Sequence, residues 1–207
     1  MRRVVAVIVG LGLFFGGASA KASPELVDQI SAQLEQHAVV RAKLVQSRKM
    51  VALKRPVVSQ GQLLYSRRDG VFLFIEQPLR VSYWLNERKV VEITADGQRR
   101  EQDVKSNPAL VQVGQVMRSL LGVRAEALKG AFEVTAKGSM SKWELLLTPR
   151  QAPLNQFIAT VKVSGGRFIE SMVLQEKSGD VIQTQLTESQ ALSDLPAADV
   201  HALMQTQ

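Results

Sequence analysis

The sequence predicts a mainly β domain built as an up-and-down antiparallel sheet, with helices set against it. Three observations lead there: a long period-two alternation beginning at Val40, glycine-bearing turns at even intervals afterwards, and one apolar helix from Ser106 to Gly122 interrupting the strands.

The first residues are set aside before any fold argument. Arg2 and Arg3 precede an apolar run from Val4 to Phe15, and Gly16, Gly17 and Ala18-Ser19-Ala20 follow. This is the pattern of a secretory signal peptide, with cleavage expected after Ala20. The run is shorter than the ~20 helical residues that cross a bilayer. About 187 residues remain, from position 21 to 207, enough for one domain with a sizeable core. The chain has no cysteine, so it can build no disulfide framework and lacks the residue that lipoprotein acylation requires. A periplasmic protein, monomeric, is expected.

The formal charge is +7, spread along the chain without a basic block or interleaved aromatics. Nucleic acid is therefore a poor partner, whereas an anionic lipid or an acidic partner remains compatible.

Ser23-Pro24-Glu25 opens a helix with a cap, a first-turn proline and an early carboxylate. Leu26, Val27, Ile30 and Leu34 line one face, to about His37. Val40, Ala42, Leu44, Gln46 and Met50 then alternate with Arg41, Lys43, Ser47 and Lys49, as in a strand with one wet face. Strands follow at 61–65, 71–75 and 81–85, the first two joined by Arg67-Arg68-Asp69-Gly70. On 71–75 both faces are apolar: Val71, Leu73 and Ile75 point one way, Phe72 and Phe74 the other, so the sheet must be covered on both sides. A polar hairpin spans 90–104 around Ala95-Asp96-Gly97.

In the apolar helix Asn107 can cap, Pro108 suits the first turn and Gly122 the stop. Leu110, Val113, Met117, Leu120 and Leu121 share a face, widened by Val111 and Val116, and the only charge is Arg118. Such a helix either plugs a β core or trades one apolar partner for another as a lid. Strands resume at 131–136 and continue through Trp143, Leu145 and Leu147 to Pro149, then at 157–163, 168–174 and 181–187, before a final helix from Pro196 to about Met204.

Catalytic chemistry finds little support. His37 and His201 have no neighbouring ligand cluster and read as surface histidines, so no metal or other cofactor is expected. No phosphate-cradling glycine loop or G-x-S-x-G elbow is present. Ser139-Met140-Ser141-Lys142 matches S-x-x-K but falls in a hairpin, where that nucleophile would open a helix. Arginines stand at the hairpin beside the apolar strands; a guanidinium can hold helix-end carbonyls and release them, or simply lie solvated in the turn.

From Gln46 through Gly61-Gln-Leu-Leu-Tyr-Ser-Arg-Arg to Glu76-Gln77-Pro78 the chain resembles the periplasmic outer-membrane lipoprotein carriers, the LolA family. Asn107-Pro108, Trp143-Glu-Leu-Leu-Leu-Thr-Pro149-Arg150, Leu154-Asn-Gln-Phe157 and Gly166-Arg-Phe-Ile169 follow in family order. The resemblance implies an incomplete antiparallel β-barrel of about eleven strands, its concave apolar face covered by helices. It implies a carrier that shields the acyl chains of lipoproteins, or of a related lipid, between an inner-membrane transporter and an outer-membrane acceptor. It places Arg67 as the lid latch, Leu110, Val113, Met117, Leu120 and Leu121 on the lid, and Leu44, Leu63, Tyr65, Val71, Leu73, Ile75 and Tyr83 on the acyl cavity. Arg68 replaces a family proline, and the aromatic-proline-glycine-valine ending of the classical carriers is absent. These departures leave open whether the cargo is a lipoprotein or another acylated or polyene lipid. Competing readings are a lipid-sensing regulatory module of the same fold and, less well supported, an envelope enzyme.

Overall fold

The computed structural model describes residues 24–86, 88–103, 125–152 and 154–204. Eleven strands form one antiparallel sheet: β1 (Val39–Lys49), β2 (Val57–Ser66), β3 (Gly70–Gln77), β4 (Val81–Leu85), β5 (Lys89–Thr94), β6 (Arg99–Asp103), β7 (Phe132–Ser139), β8 (Lys142–Pro149), β9 (Ile158–Gly165), β10 (Ile169–Glu176) and β11 (Val181–Leu192). Their order across the sheet is β6-β5-β4-β3-β2-β1-β11-β10-β9-β8-β7. Every neighbouring pair is a consecutive hairpin except β1 and β11, which join the two halves from Val39 opposite Leu192 to Lys49 opposite Val181. The sheet is not closed, and β6 and β7 are its edges.

Register carries the alternation of β1 across the sheet. Ala42 lies opposite Leu63 and Leu44 opposite Gly61 and Leu186. Leu63, Leu73 and Tyr83 form one row, and Met172, Val163 and Leu145 continue the same face on the far side. This face holds the main core.

Four helices accompany the sheet among the described residues: α1 (Pro24–Glu35), α2 (Ala125–Ala131), α3 (Leu154–Phe157) and α4 (Ala197–Met204). α1 and α2 lie on the main-core face, burying Val27, Ile30 and Leu128 with Phe132 and Trp143. Lys129 pairs with Asp28 to tie the two helices. α4 covers the opposite face, where Val200 and Leu203 pack with Leu64, Phe72, Trp84 and Val91. The expected two-sided cover of β3 is thus present, and its second layer includes the C-terminal helix.

Two expectations are corrected. The strand expected to begin at Ala131 begins at Phe132, because the alanine-rich segment Ala125–Ala131 is helical. Phe157, read as the start of a strand, ends the short α3, and β9 starts at Ile158.

Two glycines are required by close approach. Gly70 takes φ of 101° at the β2–β3 turn. Gly61 sits at a register shift where β2 meets β3 so closely that a Cβ would lie 1.9 Å from the Phe74 carbonyl oxygen. Gly61→Ala should cost at least ~2 kcal/mol, because only backbone movement relieves the clash, and urea unfolding of the variant measures it.

Candidate functional site

A cavity of about 340 Å³ lies against β1 to β4 and β11. Its walls include Leu44, Val71, Leu73, Ile75 and Tyr83, five of the seven residues expected to line one. Val71 is packed into the floor, while Leu73, Ile75 and Tyr83 are half-buried along the wall. Tyr83 is the register partner of Glu92, and burial followed by that carboxylate raises the phenol pKa. The ring therefore acts as an apolar wall with its polar tip turned to β5.

Leu63 and Tyr65 share the face but line a different, much smaller space of about 20 Å³, with Leu34, His37, Phe168 and Leu186. Leu34 of α1 covers this part of the sheet, leaving Leu63 and Tyr65 within the core. Leu110, Val113, Met117, Leu120 and Leu121 lie outside the described residues.

Sequence reasoning missed Val57, Pro78, Leu79, Val81 and Leu85 on the larger cavity. Val81 and Leu85 could have been found, since each is two residues from Tyr83 and period-two geometry puts all three on one face. Gln46, Ser59 and Thr184 add a polar stripe: Gln46 is the register partner of both others, and its Nε2 donates to Thr184 Oγ1 at 3.2 Å. Among the described residues the site is thus an apolar hollow bounded by one row of hydrogen-bonding groups. Among the described residues no three His, Cys, Asp or Glu come together as a metal-binding group.

A family model for outer membrane lipoprotein carrier protein LolA-like sequences matches residues 18–205. The chain belongs to the LolA-like family. No curated protein matches its sequence. Among solved structures, a DUF1329 family protein from Desulfovibrio piger is similar in fold, with a TM-score of 0.50 at 9% identity, over 88% of this chain and 97% of the other. A LolA superfamily protein from Nitrosomonas europaea gives a TM-score of 0.48 at 10% identity over 88% and 97% of the two chains. The Pseudomonas aeruginosa MucA/MucB complex gives 0.44 at 11% identity over 89% and 60%.

In this LolA-like chain Arg67 occupies an exposed turn that is itself firmly held. Ser66 and Asp69 bond across the turn, the Trp84 indole N–H donates to the Asp69 carbonyl at 2.7 Å, and the Arg67 N–H donates to Ala38 at 2.9 Å. Burial raises the pKa of the nearby Tyr65 phenol, and the Arg67 charge opposes that shift. Arg150 makes a grip on helix-end carbonyls of the kind considered for the hairpin arginines. Its Nε–H points at the carbonyls of Lys129 and Phe132, at 3.1 and 2.9 Å, and its backbone N–H donates to Ala131. Arg150 thereby fixes the end of α2 to the start of β7.

His37, expected on the surface, is half-buried beside the small space, with its ring 4.8 Å from that of Phe168 and, among the described residues, no hydrogen-bond partner for its buried Nε2. Burial first, and the nearby Arg167 second, lower its pKa. The folded state therefore resists a proton that the unfolded state accepts below about pH 6.5, so stability falls as the solution is acidified through that range. Thermal melts between about pH 7.5 and about pH 5 should show a smaller acid-induced drop for His37→Phe than for the native chain, a window above the titration of most carboxylates.

Proposed function

We propose that this protein is a periplasmic carrier that shields the acyl chains of lipoproteins, or of a related lipid, in the cavity on its concave face and ferries them from the inner to the outer membrane. The observation that carries this reading is the hollow among Leu44, Val71, Leu73, Ile75, Val81 and Leu85 in a chain of the LolA-like family. At about 340 Å³ the space falls within the usual range of small-ligand sites, ~300–1,000 Å³. Each methylene moved from water into such a lining contributes about 0.8 kcal/mol, so a partly inserted acyl chain is held without any covalent step. Gln46, Ser59 and Thr184 suit the ester and glycerol oxygens at the wet end of such a chain.

Export rests on the leader ending at Ala20, which delivers residues 21–207 as the working domain. Loading by an inner-membrane transporter and delivery to an outer-membrane acceptor complete the cycle. A carrier needs modest net affinity, because handover requires that the guest exchange one apolar surrounding for another at little cost. Arg67 is the proposed latch; the lid residues it would answer to lie outside the described residues.

A fluorescent long-chain acyl probe should bind the purified mature protein and be displaced by a diacylglycerol lipid. Ile75→Asp, which puts a carboxylate on the half-buried wall, should weaken probe binding at least ~10-fold while melting near the native temperature. Unchanged binding would remove the cavity from the reading. In a transfer assay, Arg67→Leu should load normally but hand over cargo more slowly; handover at the native rate would dismiss the latch role.

A further inference from the structure

The two ends of the sheet are chemically unlike. At one end lie the β1–β2 tip, the β3–β4 turn, the β5–β6 turn, the β10–β11 turn and the α3 segment. Six of the eight large apolar residues that are exposed among the described residues gather there: Val51, Leu53, Val57, Val58, Leu79 and Phe157. Leu79 and Val51 are the most exposed, at 77% and 73%. The hairpin tips are built rather than loose. The Val51 N–H donates to Asp180 Oδ1 at 2.9 Å and the Leu53 N–H to the Met50 carbonyl at 3.1 Å, while the Lys177 N–H donates to the Phe157 carbonyl at 2.8 Å.

Charge at this end is equally uneven. Glu176 and Asp180 lie within ion-pair distance of Arg48, at 3.7 and 3.6 Å. Glu76 accepts from Gln62 and Asp96 from the Thr94 hydroxyl, and neither is in an ion pair among the described residues. Lys49, Lys54, Arg55 and Arg80 are exposed and likewise form no ion pair among the described residues, so these four cations outnumber the two carboxylates. Fixed apolar side chains projecting among uncompensated cations form a surface suited to the headgroup layer of an anionic membrane, where the cations meet phosphates and the apolar tips reach the acyl boundary. A protein partner with an acidic rim would satisfy the cations too, but the most exposed groups here stand on separate narrow turns, a shape that enters a fluid layer more readily than it packs against a folded surface.

We propose that this end of the sheet docks transiently on an anionic lipid surface, with Val51, Leu53 and Leu79 entering the headgroup region and Lys49, Lys54, Arg55 and Arg80 held to lipid phosphates. Val57, Pro78 and Leu79 also line the cavity, so the docked end is one end of the hollow. The proposal concerns the outer surface and holds whether or not the cavity takes an acyl chain.

The test is sedimentation of the mature protein with vesicles of phosphatidylcholine alone or mixed with phosphatidylglycerol, with no acyl cargo added. Binding should require phosphatidylglycerol and fall at least ~10-fold on raising salt from about 0.05 to about 0.5 M. Lys54→Glu combined with Arg55→Glu, and separately Leu53→Ser combined with Leu79→Ser, should each lower partition at least ~10-fold, whereas Lys142→Glu at the opposite end should not. All of these residues are exposed, and thermal melts check that the variants fold. Failure to bind, equal binding to neutral vesicles, or native-like partition of both double variants would overturn the proposal. So would binding confined to vesicles that carry envelope proteins, which would assign the surface to a protein partner.

Discussion

Everything in this molecule hangs on the pairing of β1 with β11. All other strand contacts are hairpins between sequence neighbours, which form locally; this one joins segments far apart in the chain, and without it the sheet would be two separate meanders. It also sets which face is which. Leu44 opposite Leu186 and Gln46 opposite Thr184 carry the inward rows of β1 into the C-terminal half, so that one apolar surface runs from Tyr83 to Leu145. The seam is not regular: β11 bulges opposite Arg41 and Lys43, and Glu188 in the bulge adopts a positive φ of 52° and pairs with Lys43 at 2.7 Å. Such a bulge increases local twist, the deformation that lets a wide sheet curl without closing.

The two faces then meet their obligations differently. The outer face of β2 to β5 is filled in the ordinary way, with Phe72 stacked on Trp84 at 5.7 Å and α4 laid over both. The inner face is dense beneath α1 and α2, where Phe132, Trp143 and Ile30 are fully buried, and hollow beside β3 and β4. Among the described residues the helices cover part of the apolar surface, and the part they leave coincides with the row Leu73–Tyr83. A protein under selection for stability alone would fill such a space, since well-packed interiors leave few voids larger than a water molecule.

Much of this was legible in the sequence. Alternation in β1, the Asp-Gly turn and the two apolar faces of β3 follow from side-chain period and turn chemistry, and the structure supplies reasons for several motif residues. Gly61 is where two backbones touch; Trp143 donates to the Gly166 carbonyl at 2.7 Å, which Gln33 of α1 also reaches at 2.6 Å; Arg150 closes the end of α2. What could not be read depended on contacts between distant segments. Ala125–Ala131 is too short to announce itself by periodicity, and the strand after it absorbed Ala131 in the reading. Leu63 and Tyr65 alternate as well as Leu73 does, and only the position of α1 over the sheet separates covered residues from those that face the hollow. His37 likewise lies in a polar stretch yet is drawn inward by Phe168 from the other half.

A barrel that stops short of closure leaves a row of backbone amides and carbonyls along each rim, the kind of template on which chains add to one another into fibrils. The rim strand β6 is composed entirely of Arg99-Arg100-Glu101-Gln102-Asp103, four of them exposed, and β7 alternates Glu133, Thr135 and Lys137 on its wet side. An approaching strand would have to strip water from this dense run of charges before forming a single ladder bond. The gap that gives the fold its hollow is thereby kept from becoming a nucleus for polymer growth.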